Sequence, residues 1–247
     1  MRRFLVCLFI SYSALYSMAQ IIPFHNYTVK NGLPANFISD IEQDHWGYIW
    51  LATQVGAVKF DGYNFITYTI EDGLPDKHIL DIFIDSRNKV WFATSGGGLS
   101  CMEKNRIRYV MNQSSGKTDD LYIKVFEDKK GYIWYIANDV FSVITPDTIM
   151  RFDHSNSPIV SEILCTHVAF DGTVWLTTVE GVYYYDTELH IYDQPELEQL
   201  IVRDIKEDKP GSFWFATQEK GVFHFEKEKL IRQYNSSNGL NSNVSLS

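Results

Sequence analysis

Five of the six tryptophans recur at nearly constant spacing along the chain. Trp50, Trp91, Trp134, Trp175 and Trp214 follow one another at intervals of 41, 43, 41 and 39 residues. Internal periods of 20–50 residues are typical of solenoids, propellers and other repeat arrays. The spacing therefore predicts a repeat architecture, in which each unit contributes one tryptophan to the packing between units.

A turn motif precedes each tryptophan. The form D-x-x-G-x-φ-W, where φ is apolar, begins at Asp44, Asp128 and Asp208, and the copy at Asp85 has asparagine in place of glycine. We interpret the copy at Asp171 as one residue shorter. Aspartate caps backbone N–H groups in tight turns, and glycine or asparagine supplies positive φ. The predicted repeat signature comprises Asp44, Gly47, Trp50, Asp85, Trp91, Asp128, Gly131, Trp134, Asp171, Trp175, Asp208, Gly211 and Trp214.

Short runs between the turn signals predict strands. Each run has four to six residues, is rich in β-branched and aromatic types, and is bounded by Gly, Asp, Asn or Pro. Aromatic residues make up 15% of the chain, which favours strands. Four strands per 41 residues is the unit of a β-propeller blade. The predicted fold is all-β, a propeller of about five four-stranded blades, with the five spaced tryptophans in the core.

The repeat map does not close into a ring. Residues 22–30 align with the outer strand of the first repeat, and we expect them to form an orphan outer strand. The repeat after blade five begins but lacks its tryptophan strand, so we expect an open ring that lacks C-terminal blades. The predicted blades are residues 31–71, 72–113, 114–154, 155–193 and 194–237, followed by the start of a sixth repeat at 238–247.

The first 19 residues have the layout of a secretory signal peptide. Arg2 and Arg3 precede an apolar run, and Ser17-Met18-Ala19 forms a small-x-small cleavage site. The apolar run is short of the roughly 20 residues that span a bilayer, which disfavours a membrane anchor. We therefore expect residues 1–19 to be removed and residues 20–247 to be exported, periplasmic and soluble.

Charge and cysteine content exclude several classes of function. A formal net charge of −9 disfavours general binding to nucleic acid, so no nucleic acid partner is expected. The histidines show no metal-ligand spacing, and we expect no metal and no cofactor. Cys101 and Cys165 fall in different, non-adjacent units, so both are expected to be free thiols.

The combination of motifs resembles the two-component regulator propeller repeat. Residues 31–71 carry the complete form, from Asn31-Gly-Leu-Pro34 to Lys59-Phe-Asp-Gly62. The resemblance implies the periplasmic sensor region of bacterial hybrid two-component or sensor histidine kinases, in which repeats build seven-bladed propellers and many members respond to glycans. A triple-tyrosine domain, a membrane helix and a kinase typically follow. This sequence carries none of them, so we interpret it as a truncated sensor without kinase activity.

Three functions are compatible with these observations. The first is an extracytoplasmic ligand-sensing or interaction module, whose partners would be a glycan or other small ligand, and the missing signalling domains or a partner chain that completes the propeller. Its candidate ligand-binding loop residues are Gln54, Lys77, His78 and Gln218. The second is a propeller-fold glycosidase-like enzyme, disfavoured because no catalytic residues are predicted, neither a carboxylate pair nor an arginine cluster. The third is an exported protein-interaction scaffold.

Overall fold

The computed structural model describes residues 24–111 and 123–243, and within them five four-stranded antiparallel sheets follow one another along the chain. Each sheet is a simple meander in which consecutive strands are neighbours. Strong alternation of β-branched and aromatic residues with polar ones favours strands, and the short turns between them leave only nearest-neighbour antiparallel pairing available.

The strand bounds define the five blades. Blade 1 comprises β1 Ile38–Gln43, β2 Ile49–Thr53, β3 Gly56–Phe60 and β4 Phe65–Tyr68. Blade 2 comprises β5 Ile79–Ile84, β6 Val90–Thr94, β7 Gly98–Glu103 and β8 Arg106–Met111. Blade 3 comprises β9 Ile123–Glu127, β10 Ile133–Ala137, β11 Val140–Ile144 and β12 Ile149–Phe152. Blade 4 comprises β13 Ile163–Val168, β14 Val174–Thr178, β15 Val182–Tyr185 and β16 Leu189–Ile191. Blade 5 comprises β17 Val202–Lys209, β18 Ser212–Thr217, β19 Gly221–Glu226 and β20 Lys229–Tyr234.

Helical structure in the described residues is limited to single turns. Three 3-10 turns occur, at Val29–Asn31, Ile70–Asp72 and Pro195–Leu197. No helix in residues 24–111 or 123–243 has the length and apolarity needed to cross a bilayer. The predicted all-β propeller is confirmed, and each sheet lies inside one of the residue ranges assigned to a blade.

Four hydrophobic clusters hold consecutive blades together. Each cluster combines residues of two neighbouring blades and contains the tryptophan of the earlier blade: Trp50, Trp91, Trp134 and Trp175. These four side chains are 3%, 5%, 0% and 6% exposed. A large ring on the second strand therefore fills the space between blades, and the prediction that these tryptophans are core residues is confirmed.

Trp214 differs from the other four spaced tryptophans. It is half-buried and stacks on His224 and Tyr234 of its own blade, with ring centroids 4.1 and 5.6 Å away. No later blade covers it among the described residues, so the prediction of a core position is wrong for this copy. Among the described residues the extensive contacts between blades run in chain order and none joins blade 5 to blade 1, so these blades do not form a closed ring, as expected.

Residues 24–33 belong to a compact unit separate from that formed by residues 34–247. Its described part has no strand, so the orphan outer strand predicted for residues 22–30 is wrong over residues 24–30. Residues 24–28 are irregular, and the Thr28 and Asn31 side chains cap the 3-10 turn that follows. The aligned segment Phe65–Tyr68 is a strand because it pairs with β3. The predicted signal peptide, residues 1–19, and the end of the sixth repeat, residues 244–247, lie outside the described residues.

Candidate functional site

The signature aspartates organise the turns at one end of the blades. One oxygen of the Asp128 carboxylate accepts the backbone N–H groups of Lys130 and Tyr132, both at 2.9 Å. Its other oxygen accepts the indole N–H of Trp134 at 3.0 Å. Gly131 closes the turn with φ +78°. Four residues of the motif are thus joined by a single buried carboxylate.

Blades 1 and 2 repeat this arrangement. Asp44 and Asp85 each accept two backbone N–H groups and the indole N–H of their own tryptophan, with all three distances between 2.8 and 3.0 Å. Asn88 occupies the glycine position with φ +62°, as expected from its tolerance of the left-handed region. The spacing of six residues between aspartate and tryptophan is therefore a hydrogen-bond requirement, and these residues have a structural role.

The turn of blade 4 corrects the sequence alignment. Ala169 N–H donates to the carbonyl of Thr173, as Asp128 N–H donates to that of Tyr132. Gly172 has φ +94° and closes the same kind of turn. The turn is therefore not shorter, and the predicted signature residue Asp171 is not the counterpart of the capping aspartate. Alanine stands in that position.

Because alanine replaces the capping aspartate in blade 4, the indole N–H of Trp175 loses its usual acceptor. The indole nitrogen of Trp175 is buried and has no hydrogen-bond partner in the described part of the chain, whereas the indoles of blades 1–3 all donate to aspartate. Asp171 is exposed, two positions after Ala169, and its carboxylate accepts the backbone N–H of Thr173 at 2.8 Å.

The turn of blade 5 departs in another way. β17 continues to Lys209, which pairs with Ser212, so Pro210 and Gly211 form the turn alone. Asp208 is consequently exposed, and hydrogen bonds from Ser212 and Trp214 lower the pKa of its carboxyl. The signature aspartate keeps contact with its tryptophan here but loses the enclosed position it has in blades 1–3.

Loops at the opposite end of the blades contain the predicted ligand-binding residues. In an antiparallel meander the β2–β3 type of loop and the connection between blades lie at the same end of the sheet. Threonine hydroxyls fasten these loops: Thr53 donates to the carbonyl of Gly56 at 2.7 Å, and Thr217 to that of Gly221 at 2.7 Å. We call this surface the loop end of the blades.

Lys77 and His78 lie on the connection into blade 2. Lys77 is exposed, and His78 is half-buried. The carbonyl of His78 accepts the N–H of Ser95 at 2.9 Å, which joins the connection to the β6–β7 loop. The Nε2 atom of His78 is buried and has no hydrogen-bond partner within the described residues. The pair thus has a fixed backbone, an exposed ammonium and a ring nitrogen that is enclosed by the protein.

The two glutamines are placed differently. Gln54 is exposed on the β2–β3 loop of blade 1. Gln218 lies in blade 5, where its side-chain oxygen accepts two N–H groups of Arg203 at 3.1 and 2.6 Å. No hydrogen bond within the described part of the chain joins Gln218 to Gln54, Lys77 or His78. The structure therefore keeps Lys77 with His78 and does not bring the four candidates into one cluster.

Blade 3 has a polar turn, Asn138-Asp139, where the repeat departs from the Ala-Thr element of the other blades. Asn138 and Asp139 form a two-residue turn between paired Ala137 and Val140, with φ +60° at Asn138. An Asn-Asp pair between two apolar runs is itself a hairpin signal. The Asp139 carboxylate meets His154 Nε2 at 2.7 Å on this exposed turn. Asn138 accepts Ile163 N–H from blade 4 through its carbonyl.

Acidic side chains on the inner strands link neighbouring blades. Asp40 accepts the N–H of Ile82 at 2.9 Å, and Asp81 accepts that of Val125 at 2.7 Å and the Lys124 ammonium at 3.1 Å. Burial raises the pKa of Asp81 to about 6, although Lys124 and Val125 N–H both act to lower it. These carboxylates have structural partners in the adjacent blade.

The cysteines are free, as predicted, and the described residues contain no metal-ligand cluster. Cys101 is buried and Cys165 half-buried, and neither forms a disulfide. Burial raises the pKa of both thiols, that of Cys165 to about 11. In residues 24–111 and 123–243 no three His, Cys, Asp or Glu side chains are placed to hold a metal ion.

Comparison with known proteins identifies the repeat. Residues 32–54 and 73–96 match the family model described as two component regulator propeller. The two segments are the corresponding parts of blades 1 and 2, from the Gly-Leu-Pro connection to the loop after the tryptophan strand. The resemblance predicted from the motifs is confirmed. No curated protein sequence matches the chain.

Solved structures share the fold at low sequence identity. PorZ, a surface component of the type-IX secretion system of Porphyromonas gingivalis, is 17% identical with a TM-score of 0.61, over 88% of this chain and 37% of its own. Virginiamycin B lyase from Staphylococcus aureus is 16% identical with a TM-score of 0.58, over 78% of this chain and 68% of its own. The extracellular domain of a putative one component system, BT4673 from B. thetaiotaomicron, is 19% identical with a TM-score of 0.45, over 83% of this chain and 32% of its own. The chain thus spans 37% of PorZ, and the likeness to the first two establishes the fold.

Proposed function

We propose that this chain is the extracytoplasmic ligand-sensing propeller of a two-component signalling protein. The observation that carries the proposal is the match of blades 1 and 2 to the two component regulator propeller model. The described residues build blades of a single repeating type, which supports a binding role for them. The phosphotransfer step of such a protein is assigned to domains other than these blades.

The arrangement of carboxylates supports binding rather than catalysis. Asp44, Asp85 and Asp128 are each committed to three hydrogen bonds inside a turn, and Asp81 to the adjacent blade. A glycosidase needs two carboxyl groups flanking a substrate bond, one of them free to donate a proton. Carboxylates that accept structural N–H groups on both oxygens are poorly suited to that role.

We place the sensing surface at the loop end of blades 1 and 2. Loops held on a rigid scaffold are where binding residues concentrate, and backbone hydrogen bonds hold the connection carrying Lys77 and His78. The exposed Lys77 ammonium is a charged donor suited to hydroxyl or carboxylate groups of a ligand, and the half-buried His78 lies next to it. Gln54 adds an exposed amide on the neighbouring loop. A glycan or another small polar molecule fits this chemistry.

Thermal shift of the full chain against a panel of neutral and acidic oligosaccharides tests the proposal. We expect at least one oligosaccharide to raise the melting temperature, and the Lys77→Ala, His78→Ala double variant to bind it about tenfold more weakly. Lys229→Ala is the matched control, because Lys229 is exposed at the start of β20, at the opposite end of the blades. It should bind as the wild type does.

Two results would contradict the proposal. An oligosaccharide that still raises the melting temperature of the double variant would show that it does not bind at Lys77 and His78. Stable capture of an exported protein, with no oligosaccharide bound, would instead favour the interaction scaffold.

Export is a separate part of the proposal with its own test. The proposed signal peptide implies that expression in a bacterium yields a periplasmic protein that begins at Gln20. Mass spectrometry of the periplasmic fraction measures this directly. A chain that retains residues 1–19 in the cytoplasm would refute export.

We also propose that a further propeller segment covers the outer face of blade 5, supplied by signalling-protein sequence or by a partner chain. Trp214 supports this, because the corresponding tryptophans of blades 1–4 are each covered by the next blade. Light scattering of the full chain should show association that Trp214→Ser weakens. Strictly monomeric behaviour up to high concentration would argue against an apolar face that needs a cover.

A further inference from the structure

Two grooves open at equivalent positions of the repeat, at the end of the blades opposite the loop end. One lies between blades 2 and 3 and encloses about 200 Å³. The other lies between blades 4 and 5 and encloses about 330 Å³. Each is lined by the tryptophan of the earlier blade, Trp91 in the first and Trp175 in the second. The second groove differs from the first in its volume and in the charged residues that line it.

The groove between blades 2 and 3 contains cations of its own. Arg87 and Lys89 line it together with Asp85. The Lys89 ammonium lies 5.3 Å from the centroid of the Trp91 ring, within the range of a cation–π contact. Asp85 accepts the indole N–H of the same ring. The tryptophan of this groove is thus supplied with both a cation and a carboxylate by the chain itself.

The groove between blades 4 and 5 has lost these groups. Counting from the turn, Ala169 stands in the position of Asp85, Asp171 in that of Arg87, and Thr173 in that of Lys89. One cation has become an anion and the other a small neutral residue. The cavity is larger, and the indole of Trp175 has no hydrogen-bond partner among residues 24–111 and 123–243.

Aromatic rings form the wall of this groove. Trp175, Tyr184, Tyr192 and Phe213 line it. The three other rings lie with centroids 4.6 to 5.5 Å from that of Trp175 and meet it at angles of 36° to 77°. The rings pack on one another, and Tyr184 and Phe213 are only half-buried, so part of this aromatic surface borders the groove.

The charges at the rim are predominantly negative. Asp171, Asp186 and Glu228 line the groove together with the Lys227 ammonium, and the Lys130 ammonium donates to the Asp186 carbonyl at 3.0 Å. Backbone N–H groups of Thr187 and Glu188 lower the pKa of Asp186 to about 2, so this carboxylate is ionised at neutral pH. An anionic ligand would meet net repulsion here, whereas a cation would be attracted both to the carboxylates and to the rings.

We infer that the groove between blades 4 and 5 binds a compact organic cation with an alkylated ammonium group. The ligand would take the place over Trp175 that Lys89 takes over Trp91. A volume of about 330 Å³ is at the lower end for ligand pockets, which suits a small head group. The groove lies at the opposite end of the blades from Lys77 and His78, so the inference stands apart from the sensing surface proposed above.

Calorimetric titration of the full chain with choline tests the inference. The neutral isostere 3,3-dimethyl-1-butanol is the matched ligand, because it keeps the shape of choline and removes the charge. We expect choline to bind with a millimolar or lower Kd and the isostere to bind about tenfold more weakly. Equal binding of the two, or no saturation at about 20 mM choline, would overturn the inference.

Substitutions locate the binding within the groove. Thr173→Lys introduces the lysine that blade 2 carries at this position and should reduce choline affinity at least about tenfold. Glu228→Gln removes one exposed carboxylate and should reduce it about threefold. Asp147→Asn is the matched control on the equivalent β11–β12 turn of blade 3 and should leave the affinity unchanged.

Circular dichroism of each variant separates loss of binding from loss of fold. Should Thr173→Lys unfold the chain, the exposed Glu228→Gln variant decides the matter. Wild-type affinity in a folded Thr173→Lys variant, or in Glu228→Gln, would place the choline elsewhere and refute the site. Loss of choline binding with unchanged oligosaccharide binding would show that the two sites are distinct.

Discussion

Replacing Asp128 by alanine should destabilise the fold much more than replacing Asp171, although the sequence aligns the two as equivalent. Asp128 lies in the middle blade and accepts three hydrogen bonds, from two backbone N–H groups and from the indole of Trp134. Asp171 is exposed and accepts one. The comparison therefore tests whether the carboxylate network, and not the mere presence of a turn aspartate, stabilises a blade.

Three lost hydrogen bonds determine how much Asp128→Ala destabilises the fold. A hydrogen bond to a charged group contributes about 1.5–3 kcal/mol, and a buried donor left without an acceptor costs about 1–3 kcal/mol. In Asp128→Ala water can reach the turn, but the indole of Trp134 stays fully buried. We expect a loss of about 3 kcal/mol, which lowers the melting temperature of a chain of this size by about 6–12 °C. Asp171→Ala should cost about 1 kcal/mol or less.

Thermal unfolding followed by tryptophan fluorescence and by circular dichroism measures both variants. Ala169→Asp is the reciprocal variant, since it restores an acceptor near the indole of Trp175 and should raise the melting temperature. Equal losses in Asp128→Ala and Asp171→Ala would refute the reasoning. A lower melting temperature in Ala169→Asp would contradict the alignment that places Ala169 at the capping position.

Three further predictions concern other parts of the blades. The pKa of Asp81 is raised to about 6 in the folded chain, so the unfolded chain loses this proton first. The free energy of unfolding relative to that of Asp81→Asn should therefore fall by about 3 kcal/mol in total as the pH rises from about 3 to 7, and urea denaturation across this range measures it. Gly56→Ala places a Cβ 2.2 Å from a carbonyl oxygen of β4, so it should unfold the chain or lower the free energy of unfolding by more than about 3 kcal/mol. Gly62→Ala meets no neighbouring atom but has φ +96°, so it should lower the free energy of unfolding by about 1 kcal/mol. Thermal melts of the two variants measure the difference. Ellman's reagent should titrate both Cys101 and Cys165 after denaturation and react slowly with the buried Cys101 before it; a disulfide-linked peptide in a digest would contradict this.

The blade architecture was predictable because its determinants are local. The distance from aspartate to tryptophan follows from one carboxylate bridging a turn and an indole, and both groups lie within seven residues. The strands follow from alternation of apolar and polar residues and from short turns. The confirmed fold and the family match over residues 32–54 and 73–96 depend on these same local features.

The alignment of blade 4 was not predictable from the motif alone. Asp171-Gly172 resembles a shortened D-x-x-G turn, and only the backbone hydrogen bond from Ala169 to Thr173 shows that the turn has full length. The orphan strand failed for a related reason. A segment with strand-like sequence becomes a strand only where a neighbour accepts its hydrogen bonds, and residues 24–28 form no strand.

By itself the sequence determined the repeat, its period, the strands of each blade and the family it resembles, since all of these are written in spacings of a few residues. The tertiary structure decided which groups meet across blades about 41 residues apart in the chain. Only there does Lys89 lie over Trp91 while Asp171 and Thr173 take the places of Arg87 and Lys89 in the groove at Trp175, and only there is Trp214 left uncovered by a later blade of the described residues. The reason is physical: hydrogen bonding within a turn is set by neighbours in sequence, whereas the charge and volume of a groove are set by two blades together.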